Sequence, residues 1–145
     1  MTPGKFVEID HTADVGLDLE GASPAEVLEA AQRGLTCLLM ADISDLLSDA
    51  ERTVVVTGDG YPELLKAWCE ELYRLLEEDG FVALESQVSS VDPGGCIGLV
   101  KGVSPSPQRL AEASELKAVT YHQLAFGPDE AAGGEVWRAR VIFDV

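Results

Sequence analysis

The segment Asp10-His11-Thr12-Ala13-Asp14 sets two carboxylates and an imidazole within five residues. It forms a polar turn between two short apolar runs, where side chains can converge on one point. Oxygen donors so placed suit a hard divalent cation such as Ca²⁺, Mg²⁺ or Mn²⁺ rather than a thiolate-loving metal. A solvated acidic turn has the same composition, so the turn by itself decides nothing. The other end of the chain adds to it. Along Trp137–Val145, strand alternation puts Trp137, Ala139, Val141, Phe143 and Val145 on one face, and Arg138, Arg140, Ile142 and Asp144 on the other. The sequence stops directly after this apolar strand, without the polar tail that usually frays. The Asp144 side chain and the terminal carboxylate of Val145 are therefore expected close together, and with Asp14 they make three anionic oxygen donors. The competing arrangement is an ion pair from Asp144 to Arg138 or Arg140, which spacing leaves open.

Ligands at opposite ends of a chain need elements that bring them together. Phe6–Ile9 and Val15–Leu19 read as short strands on either side of the acidic turn. Ser23-Pro24-Ala25-Glu26 has the form of a capping box with Pro at the first helical position. Leu28, Ala31, Leu35, Leu38 and Leu39 follow at helical spacing, with Glu26, Glu29, Gln32 and Arg33 expected to face away, and the helix to end near Ala41. Gly34 inside it costs about 1 kcal/mol relative to Ala, which points to close packing of another element. Arg52–Thr57 looks like a buried strand. A second helix over Tyr61–Asp79 carries Leu65, Trp68, Leu72, Leu75 and Leu76 on one stripe, with Gly80 as its stop. The four-residue spacings Glu70–Arg74 and Arg74–Glu78 suit surface ion pairs.

Beyond Gly80 the period becomes two. Phe81–Val91 and Ile97–Val103 resemble strands joined across Asp92-Pro93-Gly94-Gly95, and Ser104–Ser114 reads as a loop. Leu116–Phe126 and Val136–Val145 read as two more strands separated by the turn-rich Gly127–Glu135. Hairpin-linked strands with two helices predict an α+β fold, a mostly antiparallel sheet with two amphipathic helices packed on it. At 145 residues, 46% of them hydrophobic, the chain is expected to form one domain, 1–145.

Net charge excludes more than it assigns. With 26 acidic against 10 basic residues the chain carries −16, a field that repels phosphate backbones, so direct stable nucleic-acid binding is not expected. An acidic surface favours metal cations or a partner with a basic face, and it also serves solubility. No Gly-rich phosphate cradle is present: Gly58-Asp59-Gly60 lacks the downstream Lys-Ser/Thr, and Gly94-Gly95 falls in a turn. Cys37 and Cys69 fall in the apolar patterns of the two helices and are expected to be buried, while Cys96 in a Gly-rich turn is open to exposure. No segment approaches a membrane-spanning length, and a cytoplasmic location is expected.

Four blocks carry a resemblance that covers nearly the whole chain. Phe6-Val7-Glu8-Ile9-Asp10-His11-Thr12-Ala13-Asp14-Val15-Gly16 resembles the opening signature of the archease family. Glu63-Leu64-Leu65-Lys66-Ala67-Trp68-Cys69-Glu70-Glu71-Leu72-Tyr73 is similar to its second-helix pattern. Leu116-Lys117-Ala118-Val119-Thr120-Tyr121-His122 and Val141-Ile142-Phe143-Asp144-Val145 match its remaining blocks, in the expected order. The resemblance implies an accessory protein and not an enzyme. Archeases assist the GTP-dependent RtcB-type RNA ligase that joins tRNA exon halves, promoting guanylylation of the ligase's active-site histidine and repeated turnover. It also implies a metal site at Asp14, Asp144 and the terminal carboxylate of Val145, filled by Ca²⁺ or else Mg²⁺ or Mn²⁺. His11 either reaches the metal or orients Asp14, and Asp10 and Lys117 are candidates for supporting the ligands or contacting the partner. Lys117 and His122 should point apart if they share one strand. The alternatives are a stand-alone metal-dependent hydrolase or phosphotransferase, and a general chaperone module with a structural metal; activity without the ligase discriminates them.

Overall fold

The computed structural model describes residues 3–10 and 14–145, and of Asp10 only the backbone. An antiparallel pair, β1 (Lys5–Asp10) and β2 (Asp14–Gly21), is followed by α1 (Pro24–Leu39), β3 (Ala50–Thr57) and α2 (Tyr61–Asp79). Then come the hairpin β4 (Val82–Asp92) and β5 (Gly95–Val103), a short α3 (Pro107–Glu112), β6 (Ala118–Val119), β7 (Ala125–Pro128), a 3₁₀ turn at Glu130–Ala132, and β8 (Trp137–Asp144). The strands form two antiparallel sheets. One has the order β1-β2-β8-β6, with β7 also on β8; the other has the order β3-β5-β4. The expected α+β class holds, with two sheets in place of one.

The helices lie between the sheets. α1 touches β1, β2 and β8 of the first sheet and β4 of the second, while α2 touches β6, β7 and β8 on one side and β3 and β4 on the other. A helix in that position buries most of its circumference, which corrects the expectation that Glu26 and Gln32 face away: both are buried. At the helix start the Glu26 backbone N–H donates to Ser23 Oγ (3.2 Å), while the Glu26 carboxylate accepts from the Ala22 N–H, one residue before the cap (3.1 Å). Gln32 donates to Thr36 Oγ1 and accepts from Ser86 Oγ, each at 3.1 Å, so both polar atoms of this buried amide have a partner. Gly34 is where β2 comes closest; a Cβ there would stand 2.9 Å from both Leu17 methyls.

Trp68 ties the layers together. It is fully buried, its indole N–H donates to the Leu28 carbonyl of α1 at 2.8 Å, and its ring lies over Gly98 of β5. α2 ends as expected at Gly80, whose φ of 71° needs a residue without a Cβ.

Several expectations are corrected. The Glu70–Arg74 pair does not form: Arg74 binds Glu71 and Glu78, and Glu70 binds Lys66. The Ser104–Ser114 loop contains α3. Leu116–Phe126 is not one strand. β6 pairs only with Asp144 and Phe143, and a turn at Tyr121–Leu124 with Gln123 at φ 53° leads into β7. The chain turns off β8 just after Thr120, whose N–H and hydroxyl both donate to the Ile142 carbonyl, at 3.0 and 2.9 Å. Lys117 therefore lies just before β6 and His122 in the turn, with both side chains exposed. Cys37 is exposed on α1 beside Glu8, whereas Cys96 is buried because its β5 position faces the helices; Cys69 is buried as expected. No described helix is long and apolar enough to cross a membrane.

Candidate metal centre

The first sheet's outer face is a ladder of register partners between β2 and β8. Glu20 faces Arg138, Asp18 faces Arg140, Gly16 faces Ile142, and Asp14 faces Asp144. The first two rungs are ion pairs. Arg138 binds Glu20 at 2.9 Å and Asp129 at 2.6 Å; Arg140 holds Asp18 bidentately at 2.7 and 2.9 Å and donates to Gln123 at 2.9 Å. The third rung is steric, since the Ile142 side chain occupies the space where Gly16 has no Cβ. The fourth brings two carboxylates face to face. Directly opposed residues on one face have Cβ atoms about 4.5–5.5 Å apart, and like charges so placed repel.

The arginines decide which of the competing arrangements is present. Both are committed to Asp18, Glu20 and Asp129, so neither pairs with Asp144. The half-exposed Asp14 and Asp144 form no ion pair with a cationic side chain among the described residues. Val145 follows Asp144 directly and is partly exposed. Two acidic residues opposed in register, with no ion-pair partner among the described residues, offer oxygen donors of the kind a hard divalent cation takes. No group of three or more His, Cys, Asp and Glu side chains is arranged for a metal among the described residues.

The remaining candidates are placed unevenly. The backbone of Asp10 ends β1, opposite Val15 in register, and His11 lies outside the described residues. Lys117 donates its backbone N–H to the Asp144 carbonyl at 2.8 Å, which anchors the end of β8. Its side chain lines a groove of about 240 Å³ with Glu70, Tyr73, Arg74 and Glu77 of α2. It is a neighbour of the carboxylate pair through the main chain. Sequence reasoning missed Asp18, Glu20 and Thr120. The first two had a visible signal: Asp18 and Glu20 are spaced as Arg138 and Arg140 are, the pattern of two strands salt-bridged rung by rung.

Residues 6–145 match the model of the Archease protein family. The chain is similar to the protein archease of Methanosarcina mazei, 31% identical over 145 residues that cover 97% of this chain and 96% of that one. It is 28% identical to the protein archease of Methanopyrus kandleri, over 95% of this chain and 97% of that one. The solution structure of Methanobacterium thermoautotrophicum protein 1598 superposes with a TM-score of 0.74 at 26% identity, covering 100% of both chains. Matched over nearly its whole length, this chain belongs to the Archease protein family.

Proposed function

We propose that this protein is a metal-binding activator of the GTP-dependent RtcB-type RNA ligase of tRNA splicing, promoting ligase guanylylation and multiple turnover, and that it is cytoplasmic and not itself an enzyme. The observation that carries the reading is the Asp14–Asp144 rung, which has no ion pair among the described residues and ends a ladder whose other acidic residues each have an arginine. Asp14, Asp144 and the Val145 carboxylate would hold the ion, Ca²⁺ or else Mg²⁺ or Mn²⁺. When bound, it would supply positive charge that neutralises the opposed carboxylates and a point to which further oxygen ligands can attach. The chain's own contribution is positional. β2 and β8 set the two residues opposite each other, and the Lys117 N–H donates to the Asp144 carbonyl at the end of β8. His11 and Asp10 stand next to Asp14 in sequence as candidates to orient it or to meet the partner.

The net charge of −16 supports a partner with a basic surface. A ligase that grips RNA presents one, and opposite potentials speed encounter. The decisive experiment is multiple-turnover RNA ligation by the purified ligase with and without this protein. Stimulation that requires the ligase and disappears on chelation supports an activator. Hydrolysis or phosphoryl transfer by this protein alone, with no effect on ligation, would replace the proposal with a stand-alone enzyme.

A further inference from the structure

The second sheet has two edges, and the fold treats them differently. β4 carries register shifts between Ala83 and Glu85 and between Val88 and Ser90. α1 also reaches across it: the Glu29 carboxylate accepts from the Val88 N–H at 2.8 Å, and the Thr36 hydroxyl donates to the Ala83 carbonyl at 2.7 Å. Bulges and covering elements are the means by which proteins keep sheet edges from pairing with other chains.

β3 has neither device. It runs against β5 without a register shift over eight residues, and its last five, Thr53-Val54-Val55-Val56-Thr57, are all β-branched and uncharged. The Gly58 N–H donates to the Gly94 carbonyl at 3.1 Å, continuing that register. Antiparallel residues alternate between turning both backbone groups towards a neighbour and turning both away. Val54 and Val56 therefore face β5, while Thr53, Val55 and Thr57 turn their N–H and C=O groups outward. Those three form no backbone hydrogen bond with a described residue beyond the sheet. On the outer face Val55 is 63% exposed and its register partner Ile97 43%, so the bare edge adjoins apolar surface.

Charge selects the occupant. Exposed Asp49 and Glu51 precede the uncharged run and exposed Asp59 follows it. A second copy would set these carboxylates, and −16 of net charge, against their own kind. An extended segment with a β-branched core and basic residues at its ends matches both the backbone pattern and the charge. We infer that the outward edge of β3 is a strand-addition site for such a segment of a partner protein. That the partner is the RNA ligase rests on the proposed function above.

The test adds purified ligase to the wild-type chain and follows backbone amide hydrogen exchange residue by residue. Thr53, Val55 and Thr57 should become protected on binding, while Val54 and Val56, already bonded to β5, should change little. A companion variant, Val55→Pro, removes one outward donor and leaves the β3–β5 ladder intact, a substitution tolerated at sheet edges. It should fold and lose ligase affinity by about tenfold or more, whereas Val55→Thr should bind as wild type. Absence of protection at the three amides overturns the inference, as does wild-type affinity in a folded Val55→Pro. The exchange measurement uses the unmodified chain, so it decides even if the proline variant fails to fold. Protection that grows on concentrating this chain alone would assign the edge to a second copy and overturn the partner assignment. Protection by the ligase without stimulated ligation would remove the proposed function and keep the edge site. Normal stimulation without protection would do the reverse.

Discussion

Replacing Asp14 by Asn should make the metal-free protein more stable and the metal-loaded protein less so. Asp14 and Asp144 are register partners on one face of the first sheet. Two unit charges about 5 Å apart repel by about 0.8 kcal/mol in a water-like dielectric and about 3 kcal/mol at an effective dielectric near 20. Both residues are half-exposed, so the lower end applies, about 1 kcal/mol. Asn keeps the size of the side chain, exchanges one acceptor oxygen for an NH2 donor, and removes the charge. With an unfolding entropy of about 2.1 cal/mol/K per residue, that gain raises Tm by about 3 °C in a chain of 145 residues. A cation reverses the order. At about 100 times its Kd it stabilises the wild type by about 2.7 kcal/mol, and a variant with one fewer anionic donor loses most of that. The assay is thermal unfolding of both proteins with a chelator and again with Ca²⁺, alongside ligase stimulation. A chelated variant that melts below the wild type would refute the repulsion argument. A wild type whose melting ignores both chelator and divalent ions would refute the site.

Adding residues after Val145 turns its carboxylate into an amide, so a C-terminal extension should lower metal affinity and ligase stimulation, and one before Met1 should do little; equal stimulation by the two tagged forms at matched folding would remove the terminus from the ligand set. Trp68→Ala should cost roughly 3–5 kcal/mol, read by denaturant unfolding, since it empties a fully buried site and deletes the hydrogen bond to Leu28; stability like the wild type's would contradict the packing. Thiol labelling of the native protein should modify Cys37 alone, slowly at neutral pH because desolvation and the Glu8 carboxylate raise its pKa, with Cys69 and Cys96 reacting only on unfolding. Burial pushes the Cys69 thiol from 9.0 up to about 12, so its neutral form contributes fully to stability below pH 9.0, and that contribution is lost as pH rises towards 12. A Cys69→Ala chain should lack that alkaline loss.

Local physics was legible in the sequence wherever an element makes its own signal. The capping box at Ser23–Glu26, the stripe Leu65-Trp68-Leu72-Leu75-Leu76 and the left-handed Gly80 located both long helices, because a helix's period, cap and stop lie within a few residues of one another. The α+β class followed from the change of period after Gly80, and Asp14, Asp144 and Val145 stood out as candidate oxygen donors. Side-chain environment was another matter. Whether Gln32 faces water, whether Cys37 or Cys96 is the exposed thiol, and where Leu116–Phe126 breaks all depend on which sheet lies against which helix. The carboxylate pair depends on the same kind of information. Asp14 and Asp144 come from opposite ends of the chain, and nothing local to either segment sets one against the other. Pairing β2 with β8 in one register assigned Arg138 to Glu20 and Arg140 to Asp18, and left two negative charges facing each other at the end of the ladder. Strand register is settled by non-local packing, here by Leu17 and Leu19 meeting Val141 and Ala139 against α1, so only the tertiary structure could place the two acids together.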